Sequence, residues 1–267
     1  MMNIIRADIY RILRGKAIYI TLVVLLSMNV LVVVTSNTAN IGITIGEEED
    51  PAGYEQAESL IFNGLNIAEV LYTSTVNLAY LLLPLFVVVA APMFSHGTVK
   101  NGLSCGMSRT KLYFSKLLLC SVLSLLMLLL YMSSGILIAT ILRGYGGTPP
   151  GGYWLNIIKT CSAQLFLLVA LNSVGVFLTF TSKRTAIVNG AYIAFCLVPT
   201  IIIVALANIN QDFVKLLDFD LLANIDKFGY MEALITPDFI KAFATGAFYI
   251  IAPTIAGIML FKRAEIK

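Results

Sequence analysis

Residues 117–142 read LLLCSVLSLLMLLLYMSSGILIATIL, 26 residues without one charged side chain. A bilayer core about 30 Å thick is crossed by roughly 20 helical residues rising about 1.5 Å each, so this stretch is long enough to span it. Five more stretches meet the same test: 17–35, 74–94, 160–181, 186–207 and 242–261. No Asp, Glu, Lys, Arg or His falls inside any of the six. The whole chain of 267 residues is 58% hydrophobic and 12% charged, with a mean hydropathy of +0.88. Soluble domains carry about 25% charge, so a soluble, disordered or disulfide-stapled chain is excluded. The loops leave no room for a soluble domain. The expected fold is one all-α integral membrane domain over 1–267 with six transmembrane helices.

The loops fix an orientation. Residues 1–16 carry Arg6, Arg11, Arg14 and Lys16 against Asp8. The first loop has seven acids, Glu47, Glu48, Glu49, Asp50, Glu55, Glu58 and Glu69, and no base. The second has Lys100, Arg109, Lys111 and Lys116 and no acid. Counting the N-terminus, loops two and four and the tail gives 13 basic residues, against 5 on the opposite side. Basic residues collect on the cytoplasmic side during insertion. Both termini are therefore expected in the cytoplasm, in agreement with an even number of spans. Residues 17–35 are too long for a signal-peptide core and lack a small-residue cleavage site, so they are expected to stay.

Chemistry is sparse. The four cysteines, Cys105, Cys120, Cys161 and Cys196, form no CxxC pair, and His96 is the single histidine. Plain packing is the expected role of the cysteines, and a histidine-based metal site cannot be assembled. There is no HExxH and no GxxxxGK[ST] loop, so energy for any active work has to come from another chain. Spans without ionisable groups argue against a proton-coupled carrier or a charge-ringed channel. Asn29, Asn77, Gln164, Asn172 and Asn189 are expected to hydrogen-bond between helices, with lining of a path as the alternative. Pro84, Pro92, Pro199 and Pro253 are expected to bend their helices.

Two segments carry more information. At 100° per residue, Ile4, Ile5, Ile9, Ile12 and Leu13 of the N-terminus share one half-circle. Arg6, Arg11 and Arg14 share the other, and Asp8 at 40° breaks the pattern. This predicts a basic amphipathic helix on the membrane surface. In the second segment, residues 95–116, a short helix over Thr98–Ser104 is expected to close with Gly106 in a left-handed cap. Ser108 then N-caps the helix of span three. A plain positive-inside loop would account for the charges but not for that helix-break-helix pattern.

Gly97-Thr98-Val99-Lys100-Asn101, then Gly106-Met107-Ser108-Arg109-Thr110-Lys111 and Lys116, resembles the loop between the second and third spans of ABC-2 type permeases, the membrane subunits of ATP-binding-cassette exporters. The basic N-terminal helix, six spans and the closing Phe261-Lys262-Arg263 are similar to that family as well. An acidic residue common in the family shortly before the Gly-Thr is missing from Pro92–His96.

The resemblance implies a cytoplasmic coupling helix in which Gly97, Thr98, Lys100, Asn101, Gly106, Ser108, Arg109 and Lys111 engage an ATPase groove. It implies an interfacial helix carried by Ile5, Arg6, Ile9, Arg11, Ile12 and Arg14. The chain itself is then no enzyme and holds no cofactor, with ATP and Mg on the partner ATPase. The implied partners are cytoplasmic ATPase subunits, a second permease copy or paralogue and the lipid bilayer; nucleic acid is not among them. The expected setting is a bacterial plasma membrane. Peptides, including antimicrobial ones, drugs and other amphiphiles are the expected substrates. An acidic first loop could steer a cationic peptide. The competing readings are a membrane sensor or assembly subunit without transport, and a secondary carrier.

Overall fold

A computed structural model describes residues 2–44, 62–90, 92–95, 106, 108–182, 184–228 and 237–263. Every regular element among them is helical. In chain order these are α1 (Met2–Arg14), α2 (Lys16–Thr44), α3 (Ile67–Ser74), α4 (Val76–Ala90), α5 (Pro92–Ser95), α6 (Arg109–Arg143), α7 (Tyr153–Ser182), α8 (Thr185–Ala207), a 3₁₀ stretch Gln211–Phe219, α9 (Leu221–Lys227) and α10 (Pro237–Arg263). Five helices are long and apolar enough to cross a membrane, and α3 with α4 makes a sixth when the bent pair is counted as one span.

The spans match the apolar runs because little else could bury such faces, but span two is not one rod. It begins at Ile67, and α3 and α4 meet at an angle of 53°. The break falls at Thr75, where there is neither proline nor glycine. The Thr75 hydroxyl donates to Leu71 O at 2.9 Å. Gln164 of α7 donates to Tyr72 O at 2.8 Å. Helical continuity survives at Pro84, Pro199 and Pro253, each of which sits inside its helix. At Pro92 it does not, since α4 ends at Ala90 and α5 starts at Pro92.

Small residues allow close packing where a hydrophobic force between helices is absent in lipid. A Cβ on Gly175 of α7 would lie 2.6 Å from the Phe86 ring. Phe86 is in turn held edge-on against Tyr192, with centroids 4.6 Å apart. Asn29, Gln164 and Asn172 bond across helices as the sequence predicts, whereas Asn189 leaves its buried Oδ1 without a partner among the described residues. Asn29 donates to Tyr131 O (2.9 Å) and Ser134 Oγ (2.6 Å), and Asn172 to Ser124 Oγ (2.8 Å).

The end of the bundle carrying α1, the start of α6 and the end of α10 is called the base here. At the far end, the turn-forming connector 62–66 bonds the chain after α6: Gly64 N–H and Leu65 N–H donate to Gly144 O and Tyr145 O, both at 3.1 Å. Arg143 donates to Phe62 O (3.1 Å) and the Tyr153 hydroxyl to Leu65 O (2.7 Å). Gly146 (φ 89°) lies flat against Asn63, where any side chain would collide with the amide.

After span five the chain turns back. Leu221, Leu222, Asn224, Ile225 and Phe228 are buried, so α9 enters the bundle, while the 3₁₀ stretch before it leaves Phe213, Val214, Leu216 and Phe219 exposed. An apolar face over residues 213–225 is thus split between packing and surface. Asp220 N-caps α9 through Leu222 N (3.2 Å) and accepts the Thr200 hydroxyl of α8. Asp218 is bonded by Lys227 and by Lys241 (3.2 Å), and the Lys227 bond foremost holds its carboxyl below the usual range. The acidic run 47–58 lies outside the described residues.

Candidate functional site

The base is where the two informative segments meet. α1 ends at Arg14 because Gly15 follows, its N–H donating to Ile12 O at 3.1 Å. The Tyr19 hydroxyl then ties α2 back to Leu13 O at 2.8 Å. On α1, Ile12 is buried (3% exposed) and Ile5 half-buried, while Ile9 and Leu13 remain exposed. Arg6 and Arg14 are exposed, and Arg14 lies over the Tyr10 ring at 5.2 Å. The apolar half-circle therefore serves two surfaces: one edge packs on the bundle, the other faces outward.

Asp8, which breaks the amphipathic pattern, decides how α1 docks. It is 6% exposed. Its Oδ2 accepts Lys116 Nζ at 2.5 Å and its Oδ1 accepts Arg11 Nη2 at 3.1 Å. Lys116, on α6, is itself 2% exposed. A buried charge is costly unless paired and hydrogen-bonded; here one carboxylate meets two cations. Arg11 Nη2 also donates to Val88 O (3.2 Å) and Val89 O (3.1 Å) at the end of α4. Those carbonyls belong to a helix end, and Pro92 has no N–H to return to Val88. Arg11 thus caps the helix that proline cuts.

The second segment is described from Gly106 and from Ser108 onward. Gly97, Thr98, Lys100 and Asn101, with the expected helix over Thr98–Ser104, lie outside the described residues. Gly106 takes φ 81°, with open space where a Cβ would stand. Ser108 is extended (φ −73°, ψ 144°) and its side chain accepts Lys111 N–H at 3.3 Å, an N-cap. Lys111 is exposed. Arg109 turns toward the last helix. Its Nη1 donates to Phe261 O and Lys262 O, both at 2.8 Å, and its guanidinium lies 5.8 Å from the centre of the Phe261 ring. Phe261 is buried, with edge-on contacts to Phe94 of α5 and Phe180 of α7.

From the expected set the structure places Arg11 and Ile12 against the end of α4, and Ser108 and Arg109 at the start of α6, where Arg109 meets the end of α10. It adds Asp8, the Val88 and Val89 carbonyls and the end of α10. The signal for Asp8 was present as its 40° position between Ile4 and Ile12. Nothing in the sequence pairs it with Lys116, 108 residues on. No cluster of three or more His, Cys, Asp or Glu capable of holding a metal occurs among the described residues. No family model matches the chain, and no curated protein sequence matches it.

Proposed function

We propose that the chain is the permease subunit of an ATP-driven exporter of the ABC-2 type, with hydrolysis on a separate ATPase subunit and a second permease copy completing the pathway. One observation carries the reading. In sequence, residues 96–107 lie between the short α5, which follows α4, and α6, and both longer helices are gripped at the base: α4 by Arg11, and α6 by Asp8 through Lys116. A partner pressing on such a segment displaces spans two and three rather than a loose loop, a rigid-element transmission between packed states. The basic, exposed Lys111 and the sequence-adjacent Lys100 supply charge toward an acidic groove. In this reading α1 lies on the inner leaflet with Arg6, Arg14 and Tyr10 at the headgroups. The termini are cytoplasmic, and an amphiphilic peptide or drug leaves the membrane.

The test is co-expression and co-purification with candidate ATP-binding-cassette subunits. Lys100→Glu combined with Lys111→Glu leaves the described base contacts intact. It is expected to abolish retention of the ATPase that wild type holds and its stimulation by the permease. Retention and stimulation equal to wild type would defeat the reading and move a non-transporting sensor ahead.

A further inference from the structure

The base holds a linked set of polar contacts between three helices. A lone carboxylate near a membrane surface is cheapest when it points to water. Asp8 instead is carried under α1, among Ile12, Val89 and the first turns of α6, where both of its oxygens are occupied. Lys116 has given up water to reach it, and Arg11 is shared between this carboxylate and the carbonyls of α4. The contacts run α6–Asp8–Arg11–α4, and α1 is their common member. The helices joined are α4, which is followed by the short α5, and α6.

We propose that Asp8 is a positioning residue: by pairing with Lys116 and orienting Arg11 onto Val88 O and Val89 O, it locks α1, α4 and α6 into one unit at the base. A side chain of opposite or no charge at position 8 releases α1. Arg11 then loses its orienting partner, Lys116 is left buried without its anion, and α4 and α6 lose their common tie. The pairing is electrostatic, so reversing both charges restores it, whereas either reversal alone does not. The transmission half of this inference rests on the permease reading; the mechanical half does not.

The experiment uses the full chain in lipid nanodiscs, where trypsin reaches both faces. Cleavage after Arg11, Arg14 and Lys16 is followed by intact mass. In wild type these bonds are protected by docking of α1. Asp8→Asn is expected to raise the cleavage rate by at least about tenfold, the smallest opening consistent with unpairing a buried charge. Lys116→Asp alone is expected to do the same, and Asp8→Lys with Lys116→Asp to return the rate to within about threefold of wild type. A cleavage rate unchanged in Asp8→Asn, or a charge-reversed pair as labile as the single reversal, overturns the lock. If Asp8→Asn does not assemble, the reversed pair alone decides, by its protection or lack of it. No ATPase is present, so a failed lock is read separately from a failed exporter assignment. When the partner is added, the reversed pair is expected to recover stimulated hydrolysis that Lys116→Asp loses. Recovery of protection without recovery of stimulation refutes the transmission half and leaves the lock standing.

Discussion

Reversing the charge at Arg109 tests whether this residue faces a partner or holds the fold. Its guanidinium donates two 2.8 Å bonds to Phe261 O and Lys262 O, carbonyls that the end of α10 leaves without helical donors. Charge-assisted bonds contribute about 1.5–3 kcal/mol each when buried. Arg109 is half-exposed, so about 1 kcal/mol each is the appropriate figure after screening. The cation at a helix C-terminus adds about 0.3–1 kcal/mol, and the face of Phe261 about 0.5 kcal/mol. Arg109→Gln should therefore cost roughly 3 kcal/mol in the isolated chain. Arg109→Glu should cost about 1 kcal/mol more, because a carboxylate then meets the negative end of the helix. Arg109→Lys keeps the charge but not the fork, and should lose about half as much.

The assay is unfolding of the purified chain in nanodiscs without any partner, with hydrogen exchange of residues 259–263 as the local readout. Exchange there should quicken in the order Lys, Gln, Glu. The reasoning is refuted if Arg109→Glu unfolds and exchanges like wild type.

Three further outcomes follow from packing and charge. Gly175→Val drives a side chain into Phe86, which Tyr192 prevents from retreating; it should cost about 1–3 kcal/mol or more, and Phe86→Leu in the same chain should recover part of the folded yield measured by gel filtration. Gln164 makes one bond, to Tyr72 O, and leaves Oε1 without a partner. Gln164→Leu removes both, and should fall within about 1 kcal/mol of wild type in unfolding assays, whereas Gln164→Ala adds a cavity and should cost about 2 kcal/mol or more. Asp218 has its carboxyl lowered by Lys227 and Lys241, so the ionised form is favoured in the folded state. Its stabilisation is full above about pH 4 and drains as pH falls through the lowered folded value. The stability gap between wild type and Asp218→Asn should narrow correspondingly at the acid end.

The spans were legible because a run such as 117–142 has one physical solution in lipid. The helix around it, Arg109–Arg143, is about 52 Å long at 1.5 Å per residue, so its ends lay beyond the apolar run, in residues that hydropathy does not mark. Ser108 and Gly106 were readable because their roles are local: an extended cap and a left-handed turn depend on neighbours three residues away. The break at Thr75 was not. The sequence Ile67–Ala90 is continuously compatible with a helix through that point, and the bend is held by Gln164, 92 residues on along the chain. Asp8 was visible as a misfit on α1 without its meaning. Periodicity assigns a residue to a face, and the partner that makes a buried charge tolerable is a tertiary fact. Arg109 shows the converse, since a basic loop residue reads as available until the end of α10 is placed beside it.

Span two gathers these long-range contacts, and this bears on how the bundle can move. Its backbone is interrupted or deprived of donors at three levels: the break at Thr75, Pro84, which removes the donor for Tyr80 O, and Pro92. At each level a different helix supplies a donor. Gln164 of α7 reaches Tyr72 O, Tyr192 of α8 reaches Ala79 O at 2.8 Å beside the Pro84 lesion, and Arg11 of α1 reaches Val88 O and Val89 O. A continuous helix satisfies its own carbonyls and can slide or tilt past its neighbours at little cost. Span two is instead tied to its neighbours by these donors, each contributing modestly, since Tyr72 O keeps the Thr75 N–H and Ala79 O is not the carbonyl that Pro84 orphans. The shape of span two is therefore set by where α1, α7 and α8 stand. Releasing α1 shifts the lowest of the three donors while the upper two stay fixed. The strain must then appear between Val76 and Ala90, where Pro84 already weakens the helix. A spin-label pair spanning Thr75 should keep its distance when Asp8 is neutralised, whereas a pair spanning Pro84 should broaden. Broadening at Thr75 instead would place the compliant point at the bend and not at the proline.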